Sequence, residues 1–388
     1  MKNLFSNTEL AFQHLSNAQL RRSIFLFRLF QWPFLTKLGS SLMAWSLKSG
    51  LPVGKIIKST VFTQFCAGES LMESHETAVM LSQSNVGSIL DYSVEGEQNE
   101  EDFEKNALYL QNAIRKAAKY PEIYPFAVFK STAVGNTQVL TKVTMDNTLS
   151  ALEMESYQNW KNRMFAICEL SSSLGLPILV DAEETYIQGA IDKLVIDLMK
   201  SLNKQKAMVF NTVQLYRKEG LDIVKKIYLE AEKHEFFAGF KLVRGAYLEK
   251  EQKWAENKKI PNPINPSKKA TDEMFDDAVV FCMKNLQKIS ICAGTHNELS
   301  TLKIIDLMHK MKLKNNDKRV WFAQLLGMSD NLTFVLANEG YNSAKYLPFG
   351  PVKEVMPYLI RRAEENSAVA GQMGRELKLL LKERKRRH

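Results

Sequence analysis

The chain lacks most of the features that announce a function. It has four cysteines in 388 residues, Cys66, Cys168, Cys282 and Cys292. None forms a C-x-x-C pair, so they build neither a disulfide scaffold nor a zinc ribbon, and a reducing compartment is expected. No apolar run reaches the ~18 residues that a membrane-crossing helix needs. The N-terminus lacks the charged, apolar, small-residue order of a signal peptide, and Glu9 comes early. No G-x-G-x-x-G follows a strand-like run, and H-E-x-x-H and G-x-S-x-G are missing too. Gly50 to Lys55 looks like a phosphate loop but has neither the spacing nor the Ser/Thr. Of six histidines only His296 falls among other candidate site residues, and no His/Cys spacing suits a metal, so none is expected.

What is present is ordinary for a globular protein. Hydrophobic residues make up 45% and charged residues 24%, which excludes disorder, collagen and a coiled-coil rod. At roughly 150 residues per domain the length suggests two or three domains, although one α/β barrel can absorb most of it. Lys and Arg number 52 against 43 acidic residues, a net charge of +9. Such an excess suits nucleic acid, anionic lipid or an acidic substrate. It is not interleaved with aromatics as a nucleic-acid stripe would be. Part of it is local: residues 382–387 hold five cations against Glu383. That basic end reads most simply as a solvated, frayed helix end.

The first ~55 residues read as helix, with a strongly apolar stretch from Ser23 to Trp32 that Pro33 interrupts; it packs on the main domain or lies at a membrane surface. From residue 60 a rhythm sets in. Runs rich in β-branched and aromatic residues recur at Thr60 to Ala67, Phe126 to Ser131, Pro177 to Val180, Met208 to Val213, Phe240 to Val243, Ile289 to Ala293, Val320 to Ala323 and Lys345 to Pro348. Segments of helical spacing separate them, such as Leu221 to Lys233 and Thr301 to Lys312. Strand alternating with helix implies parallel βα units, and eight such runs imply a (β/α)8 barrel. A doubly wound sheet is the alternative, and the missing glycine fingerprint speaks against it. Two segments break the rhythm: the acidic stretch Val94 to Asp102, read as a solvated loop or helix start, and the loop Pro261 to Pro266, read as a cover over a site.

Barrel enzymes carry their chemistry where strands end. Those points here hold Gly68-Glu69, Lys130, Asp181, Gln214, Arg244-Gly245-Ala246-Tyr247, Thr295-His296-Asn297, Leu325-Leu326-Gly327 and Tyr346 to Gly350. Any one of these is equally a solvated loop residue; a polar group at nearly every strand end is harder to dismiss. The last apolar-periodic helix adds Tyr358, Arg361, Arg362 and Glu365, which at about 100° per residue share one face. Two guanidinium groups beside an aromatic make a carboxylate clamp, with Glu365 holding one from behind. On spacing alone, an exposed ion-paired face explains the same pattern.

Taken together, Lys241-Leu242-Val243-Arg244-Gly245-Ala246-Tyr247, Asp181-Ala182-Glu183-Glu184, Gly294-Thr295-His296-Asn297, Gln324 to Met328 and the R-R-x-x-E-N within Tyr346 to Asn366 resemble the proline dehydrogenase family, in its single-function, mitochondrial-type branch. The resemblance covers roughly residues 60 to 370. It implies a distorted (β/α)8, TIM-like barrel with extra N-terminal helices and a final helix over the barrel mouth. The expected division is an N-terminal helical segment 1–58, the barrel 59–372 and a basic end 373–388. By resemblance, Arg361 and Arg362 bind a proline carboxylate, and Lys130, Asp181, Leu325, Tyr346 and Tyr358 complete the pocket. Non-covalent FAD is expected at Ala182, Gln214, Lys241, Val243, Arg244, Gly245, Ala246, Thr295, His296 and Asn297. Asp181, Lys241 and Arg244 are the expected catalytic set, and Glu69 pairing with Arg361, backed by Glu365, the expected gate.

The implied reaction oxidises L-proline to Δ1-pyrroline-5-carboxylate, the first step of proline catabolism. Hydride passes from C5 to flavin N5, and electrons go on to a membrane quinone. The bifunctional branch carries Arg where Lys241 stands and Lys where Arg244 stands, so which of the two meets the flavin edge is left open. Hydroxyproline is the alternative substrate; the bulk of Tyr346 speaks against it. The expected location is cytoplasmic, with peripheral contact to the inner membrane, or alternatively mitochondrial. No nucleic acid is expected.

Overall fold

The computed structural model describes residues 4–30, 58–92, 99–368 and 370–388, apart from the side chains of 30, 59 and 362–373. Eight strands follow one another: β1 (Gly87–Tyr92), β2 (Ala127–Lys130), β3 (Ile178–Asp181), β4 (Val209–Gln214), β5 (Ala238–Val243), β6 (Ile289–Gly294), β7 (Val320–Leu325) and β8 (Ser343–Phe349). Helices separate them, and the strand order is β1-β8-β7-β6-β5-β4-β3-β2. The pairings are parallel, as in Lys130 opposite Asp181 and Lys241 opposite Cys292. This is the expected α/β, TIM-like (β/α)8 architecture. The chain divides into two compact units, one made of 1–95 with 324–388 and one of 96–323. The division falls within β7.

Seven of the eight strand-like runs are strands. The first is not: Lys58–Phe62 is π-helical and continues into the helical turn Thr63–Phe65. Its β-branched and aromatic residues serve a helical face, with Val61, Phe62 and Phe65 buried in the core of the first unit. The true β1 reads Gly-Ser-Ile-Leu-Asp-Tyr, and its buried Ser88 and Asp91 hide it from a hydrophobicity count. Gly68 still makes a single parallel bridge to Phe349, with Ala67 N donating to Pro348 O at 2.8 Å.

In the unit 96–323 the strands alternate cleanly between two faces. Asn211 of β4 donates to Asp192 on the helix Thr185–Leu202 (2.9 Å), so Phe210, Thr212 and Gln214 take the opposite face. On that face Phe126 meets Phe210 and Trp321 edge-on, with ring centroids 5.3 and 5.4 Å apart. These rings make an apolar floor beneath polar strand ends. The proline-rich loop is tied to the segment after β4: Asn265 N donates to Tyr216 O (2.7 Å) and Lys218 N to Pro263 O (2.9 Å). The end of the acidic stretch is a helix start, with Asn99 capping Glu100–Ala117; residues 93–98 lie outside the described residues.

In the other unit β1 pairs with β8 from Gly87–Ala344 to Tyr92–Phe349. The N-terminal helices Thr8–Phe12 and Asn17–Phe30 pack against Ala370–Arg386. Ile24, Leu26 and Phe27 are buried, so the apolar stretch is mainly core, while Phe25 and Leu29 remain exposed. Trp32 and Pro33 lie outside the described residues. The Arg361/Arg362 helix, Val352–Ala368, is not the last, because Ala370–Arg386 follows it. Nor is the basic end frayed. Glu383 is fully buried and binds Arg386 and Arg387, and Arg387 in turn donates to Phe12 O (2.7 Å) and Leu15 O (2.8 Å). Arginine here adds a charged donor to carbonyls at the end of the short first helix and its turn; Phe12 O also accepts from Leu15 N at 2.9 Å.

Candidate functional site

The strand ends of the unit 96–323 carry linked polar groups. Asp181, the last residue of β3, accepts from Lys241 Nζ of β5 at 2.6 Å, with both side chains largely buried. A buried pair of this kind holds a cation in a fixed place, because either charge alone would be costly there. Beside it lies Cys292, whose thiol burial pushes up to about 12. It therefore stays protonated and is not a nucleophile. Lys130 ends β2 directly opposite Asp181.

Arg244, just past β5, does something different. Its guanidinium donates to Asp272 (2.5 Å), Thr295 Oγ1 (2.7 Å) and Ser300 Oγ (3.0 Å), and it lies 4.4 Å over the Phe275 ring. Burial would raise the Asp272 carboxyl, but hydrogen bonds from Lys268 and Arg244 outweigh it and hold it below the usual range. Arg244 thus ties the loop after β5 to the loop after β6. The next residue, Gly245, has φ +131°, and a Cβ there would sit 2.5 Å from the Tyr216 ring, so only glycine fits.

A second line of bonds runs across four strand ends. The Glu183 carboxylate accepts from Thr132 N (2.8 Å) and from the Thr132 hydroxyl. Gln214 Nε2 donates to Glu183 O (2.7 Å), and Ala246 N donates to Gln214 Oε1 (3.3 Å). Burial pushes the Glu183 carboxyl up to about 7, against the pull of the Thr132 bonds. Asn297 accepts from Leu299 N (2.9 Å) and Ser300 N (3.2 Å), so its side chain oxygen caps the helix Glu298–Lys310. Ala182, Val243 and His296 stand at the ends of the same strands. Sequence reasoning passed over Glu183, Asp272 and Ser300. Glu183 lies within the D-A-E-E motif, whereas nothing near Asp272 marks it.

The remaining expected residues belong to the other unit. Leu325 ends β7, Tyr346 lies buried in β8, and Tyr358 is buried on Val352–Ala368 with half-buried Arg361 one turn further on. The side chains of Arg362 and Glu365 lie outside the described residues. The Glu69 carboxylate pairs with Lys58 Nζ across an exposed surface. No cluster of three metal-ligating side chains occurs among the described residues, and no described helix is long and apolar enough to cross a membrane.

The proline dehydrogenase family model matches residues 74–375. The chain belongs to the proline dehydrogenase family. Among relatives, the carbapenem antibiotics biosynthesis protein CarD of Pectobacterium carotovorum is 34% identical over 340 residues, covering 87% of this chain and 86% of that one. Mitochondrial proline dehydrogenase 1 of Dictyostelium discoideum is 32% identical over 380 residues, covering 87% of this chain and 66% of that one. The Drosophila melanogaster counterpart is 39% identical over 245 residues, 61% of this chain but 36% of its own length. The fold is similar to that of proline utilization A (PutA) from Bdellovibrio bacteriovorus inactivated by N-propargylglycine, with a TM-score of 0.73 at 19% identity over 94% of this chain and 36% of that one. This proline dehydrogenase family member thus spans from about a third to most of the length of its relatives. It is an enzyme of the proline dehydrogenase type.

Proposed function

We propose that this enzyme oxidises L-proline to Δ1-pyrroline-5-carboxylate using non-covalent FAD. The observation that carries the reading is the buried Asp181–Lys241 pair among the linked strand ends of β2 to β6, in a chain of this family. The donor set fits a flavin. Lys241 offers a held cation to a ring system that becomes negative on reduction, Gln214 offers an amide, and Arg244 brings a second cation on the loop that carries Gly245. The absence of a Cβ at Gly245 lets backbone approach a planar group closely. When bound, FAD supplies the acceptor, N5, for hydride from proline C5.

The chain's own residues then position the substrate. Arg361 and Arg362 hold the carboxylate, with Lys130 as a further cation. Leu325, Tyr346 and Tyr358 shape an apolar wall around the ring and exclude water. The substrate amine is neutral when it reacts, so the nitrogen lone pair assists departure of the hydride. Asp181 does not attack; it holds the Lys241 side chain in place through their 2.6 Å ion pair. Lys241, rather than Arg244, is the better candidate for the flavin edge. Its carboxylate partner Asp181 lies within the site, whereas Arg244 is committed to Asp272, Thr295 and Ser300.

Electrons pass on to a membrane quinone in this reading. Exposed Phe25 and Leu29 and the exposed Arg375, Lys378 and Lys385 support peripheral contact with an anionic membrane. The relatives named mitochondrial in fly and human favour the mitochondrial alternative over a cytoplasmic location. The deciding experiment is anaerobic addition of L-proline to the FAD-reconstituted chain. Bleaching of the visible flavin band supports the function; FAD-loaded protein that no proline concentration bleaches would overturn it.

A further inference from the structure

Lys345 has no place in the chemistry above, yet it is fully buried. Side chains alternate along a strand, so Lys345 faces away from its neighbour Tyr346. Its ammonium meets Asp330 Oδ1 at 2.7 Å, Leu325 O at 3.2 Å and Met328 O. Three acceptors satisfy all three of its protons. Asp330 begins the helix Asp330–Asn338, and its other oxygen lies 3.4 Å from His14 Nε2, while the His14 ring stacks on Phe334 at 4.0 Å. Burial alone would raise the Asp330 carboxyl; Lys345, and then His14, outweigh it and hold it well below the carboxylate range.

Between Leu325 and Asp330 the backbone makes a tight, doubly left-handed turn. Gly327 has φ +74° and Ser329 φ +51°. A Cβ at Gly327 would lie 2.0 Å from Gln64 O, and Gln64 Nε2 donates to Gly327 O at 3.2 Å. Such a turn persists only when its surroundings determine it. Lys345 binds the turn at Leu325 O and Met328 O and also, through Asp330, the helix that follows.

We infer that Lys345, locked by Asp330, is a positioning residue that sets the Leu325–Ser329 turn and with it the substrate-facing wall. This rests on the reading that Leu325 and Tyr346 line the proline pocket. A lysine can do this from the rear of the strand because its long stem reaches past the strand and its head adds a charged donor to Leu325 O, which also accepts from Met328 N at 3.2 Å, and to Met328 O. The inference also gives His14 a role. It ties the N-terminal helical segment to the same carboxylate, so that segment helps hold the wall.

The test uses the FAD-loaded full chain and three forms of it: unmodified, Lys345→Met, and Lys345→Met with Asp330→Leu. The single change strands a buried carboxylate and lowers the melting temperature. The double change removes both charges, which is often neutral for folding. In the double variant we expect melting temperature and bound FAD close to those of the unmodified chain, but a proline KM raised about tenfold or more, since small misplacement of a positioned group has large effects. The kcat at saturating proline should fall far less. A double variant that recovers stability and KM together would overturn the inference, as would an unchanged KM in the single variant. If the unmodified chain is itself not reduced by proline, it is the proposed reaction that fails, not the role of Lys345.

Discussion

The strand ends of the two units are built on different plans. In 96–323 they are cross-linked through side chains: Thr132 to Glu183, Glu183 to Gln214, Gln214 to Ala246, Lys241 to Asp181, and Arg244 to Thr295 and Ser300. In the unit of 1–95 and 324–388 the expected pocket residues are apolar or aromatic, Leu325 at the end of β7 and Tyr346 within β8, and the fixing comes from behind, through Lys345 and Asp330. The first plan suits a cofactor that stays: polar groups are preorganised and do not rearrange. The second suits a ligand that enters and leaves, with a shaped wall and cations on a helix. Changes in the first unit should therefore alter bound flavin and the rate of its reduction, and changes in the second should alter KM.

The strongest test of that division is Lys241→Met. It removes the held cation and leaves Asp181 buried without it, so proline-dependent flavin reduction should fall about 10³-fold, the upper range for losing one preorganised group. Rapid-mixing measurements of flavin bleaching read this directly. Arg244→Met should lower FAD affinity more than the reduction rate, because Arg244 fixes loops. If Arg244→Met gave the larger rate loss, the two roles would have to be exchanged.

Next in size is Glu183→Gln, which tests the belt of bonds. A carboxyl raised to about 7 in the folded chain, against 4.5 ordinarily, binds a proton that the unfolded chain has already released. Stability therefore falls as pH rises from 4.5 to 7, and the penalty is complete above 7, at most about 3 kcal/mol. Glutamine cannot ionise; its amide oxygen can accept from Thr132 N while its NH2 donates to the Thr132 hydroxyl, reversing that bond. Denaturation midpoints at pH 5 and pH 8 should accordingly differ less in the variant. A wild-type loss of stability that survives the change unaltered would assign the titration elsewhere.

Arg361→Met comes third and lies in the other unit. Loss of a charge-assisted contact to carboxylate costs roughly 1.5–3 kcal/mol, so the proline KM should rise by about 10- to 100-fold while bound FAD stays unchanged. Loss of flavin in step with KM would blur the distinction between the units.

The contrast also explains what could be read from the sequence. Seven strands were legible because strands buried on both faces are continuous apolar runs, such as Phe240 to Val243. β1 was not, because its Ser88 and Asp91 are buried polar residues, and Thr60 to Ala67 imitated it with residues that pack as a helix. Polar strand ends such as Asp181 and Lys241 stood out against those runs. Glu183 was hidden in plain view, since a carboxylate whose partner is a backbone N–H leaves no pairwise signal. Lys345 was hidden by its position inside an apolar run, where a lysine reads as a surface residue. Only the fold brings it under Leu325 O and Met328 O.

Tyr346→Ser is expected to act more gently, on specificity. Tyr346 is buried in β8, and if it lines the proposed pocket its bulky phenol would crowd a 4-hydroxyl group. Removing the ring should shift relative kcat/KM toward hydroxyproline by about tenfold, the scale of one small-group difference in a pocket. An unchanged ratio would place the discriminating contact elsewhere.

The smallest effect concerns Glu69, the proposed gate. Its carboxylate is paired with Lys58, and the pair is exposed, so it holds by no more than ~1 kcal/mol. Glu69 can therefore exchange Lys58 for Arg361 at little cost, and gating by such an exchange is shallow. Glu69→Ala should raise the proline KM about threefold, in keeping with the worth of a surface pair. Lys58→Met should move it the other way, because it removes the competitor for Glu69. Opposite signs from two substitutions on one ion pair are not expected of simple destabilisation, which would push both in the same direction. If both variants raised KM equally, the Lys58–Glu69 pair would be a surface contact with no part in closing the site.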